Sequence, residues 1–105
     1  MAETKFELIL AILNKGFATE AIIAAKEAGA KGGTIMHARG TSDIGVQKKY
    51  GVVVTPEKEV VMILSSIENK DKIIEALYSS RKVGDKEKGI IFTLPVTSTC
   101  GLKYE

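Results

Sequence analysis

A chain of 105 residues, 45% hydrophobic and 27% charged, is long enough for one domain with a single buried core and short for two. Fifteen basic residues against 13 acidic ones give a formal charge of +2, which supplies no broad field for nucleic acid or an anionic membrane. A single cysteine, Cys100, excludes an internal disulfide, so a reducing cytoplasm is the expected setting. Near the N-terminus, Glu3 and Glu7 stand where a leader carries positive charge. The apolar run there is also shorter than the about 20 residues of a bilayer span, so no targeting or transmembrane segment is expected.

The first element is the nearly unbroken apolar run Lys5 to Leu13, KFELILAIL, which reads as a strand buried on both faces in the middle of a sheet. In FATEAIIAAKEAG, Phe17, Ala21, Ala24, Ala25 and Ala28 recur at helical spacing; Thr19 is a candidate cap and Gly29 a stop. GGTIMHARG alternates, with Thr34, Met36 and Ala38 on one side and Ile35, His37 and Arg39 on the other, which predicts a second strand. From Gly40 to Tyr50 the apolar periodicity is lost and an exposed loop is expected.

Beyond it, Val52 to Val54 predicts a short extended arm and Glu59 to Ser65 a second continuous apolar strand, divided by Pro56. ENKDKIIEALYSSRKVG predicts a helix capped by Asn69, with Ile73, Ile74, Leu77 and Tyr78 as its buried stripe. The polar turn GDKEKG then leads into a last strand in KGIIFTLPV. Strand, helix, strand, strand, helix, strand is the order of an α+β, ferredoxin-like βαββαβ sandwich, an antiparallel sheet with two helices on one face. The inner strands are apolar on both sides, which leaves a sheet face for a partner and implies homo-oligomerisation.

Chemistry is sparse. His37 and Arg39 lie two apart on a strand and share a face, where they suit either an anion or a solvated polar stripe. One histidine and one cysteine do not make a closed zinc site, and Cys100 has no base beside it in sequence. No nucleophile elbow or phosphate-cradling GxxxxGK motif is present, and no strand carries the basic and aromatic cluster that reads RNA. The one local anion site suggested by the residues is KVGDKEKG, where Gly84 and Gly89 free the backbone and Lys82, Lys86 and Lys88 bring charge.

Two stretches, GAKGGTIMHARG and GDKEKGIIFTLPVTSTCGL, occurring in this order, resemble the P-II signal-transduction (nitrogen regulatory) family, and more closely its P-II-like branch with a reduced T-loop and C-loop. The resemblance runs from Lys5 to Leu102 and implies a single domain over 1–105 that assembles as a trimer with clefts between neighbours. It implies a T-loop at 41–54, a B-loop at 84–89 and a C-loop-like tail at 97–105. Carried over by position, Thr34, Arg39, Gly40, Ile63, Gly84, Lys88 and Gly89 are the expected nucleotide-binding residues, with no catalytic or metal residues.

No cofactor is required, and the implied ligand is an adenine nucleotide, ATP, ADP or AMP, with or without Mg. The implied role is a non-enzymatic regulator that signals to a partner protein, a transporter, enzyme or regulator, through the T-loop by population shift. Several family features are missing. The 41–54 segment lacks the Arg-Gly-x-Glu-Tyr motif, so Tyr50 does not inherit the family's uridylylation, and the glutamine that serves magnesium and 2-oxoglutarate has no match. In the tail only Lys103 stands where the family offers two arginines, which favours fewer phosphates on the ligand. The alternative is a trimeric metal-binding protein of cation-tolerance type, using His37 or surface carboxylates.

Overall fold

The computed structural model describes residues 5–40, 47–49, 52–54, 57–80 and 89–102. Among them the elements in chain order are β1 (Phe6–Asn14), α1 (Ala18–Glu27), β2 (Thr34–Arg39), β3 (Gln47–Lys49), β4 (Val52–Val54), β5 (Glu57–Ser66), α2 (Ile67–Ser79) and β6 (Ile90–Val96). The four longer strands form one sheet in the order β2, β5, β1, β6, with every neighbouring pair antiparallel. Inserting β5 between β2 and β1 is the split βαβ connection of the ferredoxin-like fold, as the element order implies.

Strand period decides what the helices cover. Side chains alternate between faces, so Ile9, Ala11 and Leu13 of β1 point with Val61, Ile63 and Ser65 of β5 towards the helices. There they meet Ala18, Ala21 and Ala25 of α1 and Ile73 and Leu77 of α2 in one buried core. Alanines on the buried side of α1 let its backbone approach the sheet closely. The opposite face presents Phe6, Leu8, Leu10 and Ile12 of β1 beside Val60, Met62 and Leu64 of β5, and no element among the described residues covers it. On the flanking strands Met36, Phe92 and Leu94 of that face are exposed by 43%, 40% and 47%, so the expectation that β1 is buried on both faces holds for one face only within a single chain.

Several local expectations are corrected. Residues 47–49, read as loop, are strand β3, paired with β4 through Gln47 to Val54, Lys48 to Val53 and Lys49 to Val52. The pairing is made by backbone groups, which polar residues supply as well as apolar ones. Strand β5 begins two residues earlier than expected, at Glu57. Helix α2 is capped by Ser66, whose hydroxyl accepts from the Asn69 N–H at 3.3 Å, so Asn69 is the recipient of a cap. Tyr78, expected in the buried stripe, is 54% exposed at the end of α2.

Helix α1 has no side-chain cap at Phe17, and Thr19 does not serve as one. Its end follows expectation: the Gly29 N–H donates to the Lys26 carbonyl at 3.1 Å and the Ala30 N–H to that of Ala25 at 2.9 Å, the paired bonds of a Schellman stop.

Candidate functional site

The end of the sheet nearest the 41–54 segment carries most of the described polar contacts between distant parts of the chain. Asn14 at the tail of β1 pairs with Lys58 of β5, which pairs with Ala38 of β2. From β5, Glu57 accepts from Lys15 at 3.3 Å and Lys58 donates to Asn14 Oδ1 at 2.6 Å. Glu59 Oε1 accepts the N–H groups of Gly16 at 2.9 Å and Ala18 at 3.1 Å, so the missing cap of α1 comes from another strand. Its second oxygen lies 4.0 Å from His37 Nδ1 on β2.

Burial works to raise the Glu59 carboxyl, but the N–H groups of Ala18 and Gly16, the attraction of His37 and the N–H of Phe17 outweigh it and hold the group below its ordinary 4.5. As pH falls, the unfolded chain therefore takes up this proton first. The stabilisation is whole above about pH 4.5 and is lost as pH falls through the lower folded-state value. The thermal midpoint of the wild type should drop more steeply below pH 4.5 than that of Glu59→Gln, which has no such proton to gain. Parallel acid profiles for the two proteins would mean that Glu59 adds nothing to folding as a charge.

The expected nucleotide-binding residues divide between places. Thr34 heads β2 opposite Met62 and Arg39 ends it opposite Glu57, both exposed. Gly40 follows, and a Cβ there would lie 2.9 Å from Lys58 Cε, so the absence of a side chain leaves room for the lysine stem. Gly89 has φ of +75°, and an added Cβ would overlap the Ile12 carbonyl oxygen, which makes glycine obligatory where β6 joins β1. Ile63 is fully buried in the helix-side core, so its side chain cannot line an open cleft. Leu64, one residue on, points to the other face and lines a cavity of about 280 Å³ with Phe6, Gly29, Lys31, Ser65 and Asn69, among others. Gly84 and Lys88 lie outside the described residues.

Arg39 with Gly40 and Gly89 stand at the same end of the sheet but on its two opposite edges. Three strand spacings separate those edges, about 14 Å. From Thr34 to Gly40 the chain runs about 20 Å along β2 at strand rise. A groove of about 460 Å³ borders Gly89 on the helix side, with Asp71, Ile74, Glu75, Tyr78 and Ile91 as its other walls. Neither cavity gathers the expected set, and the described residues of one chain alone do not bring it together.

His37 and Arg39 do share a face, and it is the helix side, but Glu59 and Glu57 stand opposite them, so that face carries both signs. Cys100 is exposed in the tail after β6, the edge opposite to the strand that holds His37. Among the described residues no group of three or more His, Cys, Asp or Glu side chains is placed to hold a metal ion. No helix among them is long and apolar enough to cross a membrane. Sequence reading missed Glu57, Lys58 and Glu59. Their signal was three successive charged residues joined directly to an apolar strand, more polarity than the start of a buried strand needs.

A four-stranded antiparallel sheet with two helices on one face defines a ferredoxin-like α+β domain. The family described as "Nitrogen regulatory protein P-II" matches residues 6–105, nearly the whole chain, and the protein belongs to that family of signal-transduction proteins. Among solved structures, the crystal structure of Arabidopsis thaliana PII bound to citrate is similar at 22% identity and a TM-score of 0.70, over 90% of this chain and 78% of that one. At that identity the likeness speaks for the fold. Comparison with curated proteins yields no match.

Proposed function

We propose that this P-II protein is a non-enzymatic regulator that binds an adenine nucleotide in clefts between the subunits of a homotrimer. Occupancy is passed to a partner protein through the 41–54 segment. The observation that carries this reading is the separation of Arg39 and Gly40 from Gly89 across the full width of the sheet. A ligand that needs both edges takes β2 from one chain and β6 from the next, and the uncovered apolar face supplies the reason for chains to associate.

Titration calorimetry with ATP, ADP and AMP, each with and without magnesium, tests the reading. Saturable binding near one nucleotide per chain is expected. Arg39→Ala should weaken it about tenfold, the scale of one charge-assisted contact to phosphate, without changing the assembly. Absence of heat with all three nucleotides would overturn the ligand assignment, and full affinity in Arg39→Ala would remove Arg39 from the site.

A further inference from the structure

Three successive side chains at the head of β5 grip one short turn. Glu57 holds Lys15, Lys58 holds Asn14 and Glu59 caps the N–H groups of Gly16 and Ala18. Strand alternation sends Glu57 and Glu59 to the helix side and Lys58 to the other, so the β1–α1 turn is held from both faces of the sheet. The same three residues are the cross-strand partners of Arg39, Ala38 and His37, the last residues of β2 before the 41–54 segment. Within the clamp the contacts are unequal. Glu57 and Lys15 are exposed by 61% and 59% and screened by water, whereas the Glu59 side chain is only 13% exposed and accepts one N–H of the turn, Gly16, and one of the first helical residue, Ala18.

We propose that Glu57, Lys58 and Glu59 couple the β1–α1 turn to the tail of β2, so that residues 14–18 and 37–40 open as one local unit. Glu59 is the principal positioning residue: its backbone is laddered to β2 while its carboxylate holds the start of α1. Such coupling is reciprocal, so a perturbation on either side is felt on the other. If the proposed nucleotide site is correct, a ligand at Arg39 and Gly40 acts on the first turn of α1 by this route. The coupling itself does not depend on that reading.

Hydrogen exchange on the full-length protein without ligand tests it. Glu59→Ala should speed exchange about tenfold in peptides covering 14–20 and, to a similar degree, in those covering 35–40, with α2 unchanged. Should that variant not fold, Asn14→Ala and Glu57→Ala perturb the clamp from its two ends. Each should speed both segments about two- to fivefold. Faster exchange confined to 14–20 in these variants would reduce Glu59 to a simple helix cap and overturn the coupling. An equal rise throughout α2 would also overturn it, because the opening would then be global.

Discussion

Gly89→Ala should destabilise the protein by about 3–5 kcal/mol, read as a fall in the urea midpoint at unchanged slope. A positive φ costs an alanine about 1–2 kcal/mol wherever it occurs. At this position the new Cβ also meets the carbonyl oxygen of Ile12, a backbone atom that moves only if β6 moves away from β1. Gly101→Ala separates the two causes, because Gly101 has φ of +94° and a Cβ added there would meet nothing within 4 Å. That control should lose only about 1–2 kcal/mol. Similar small losses in both variants would show that β6 is not held tightly against β1 at its start. Domains of this kind have about 5–15 kcal/mol in total, so the larger loss would leave a substantial unfolded population in mild urea.

The elements that could be read from sequence are those in which composition and period agree. FELILAIL has the β-branched and aliphatic residues of a central strand, and the alanine-rich helix ends at Gly29 as expected. Strand β3 was hidden because Gln47, Lys48 and Lys49 carry no apolar alternation, and its pairing with β4 is a matter of backbone groups. Ile63 and Leu64 expose a different limit. A continuous apolar run does not say which parity faces the helices, and a shift of one residue exchanges the core for the open face. The cap of α1 was hidden for a third reason: its donor sequence, Gly16 to Ala18, and its acceptor, Glu59, are distant in the chain and meet only through the tertiary fold. Resemblance supplied the P-II family, while the placement of Arg39 and Gly89 on opposite edges of the sheet became visible only in the strand order.

A charge placed on the uncovered sheet face should break an assembly that closes over it. Phe92 lies opposite Leu10 on it, 40% exposed, on an edge strand where a polar residue does not disturb the helix-side core. In an assembly that closes over this face, Phe92→Asp removes about 2–3 kcal/mol of apolar burial and introduces a carboxylate with no partner among the apolar residues around it. Three-fold symmetry repeats that cost at every interface, so sedimentation should show the wild type as a trimer and Phe92→Asp as a monomer. Ile23→Asp provides the contrast, since Ile23 is 54% exposed on α1, outside the sheet face, and a charge there should leave the trimer intact. A trimer that survives Phe92→Asp would place the interface elsewhere and leave no cleft between the β2 edge of one chain and the β6 edge of the next. A monomeric wild type would have the same consequence, because Arg39 and Gly89 would then have no neighbouring chain through which to meet.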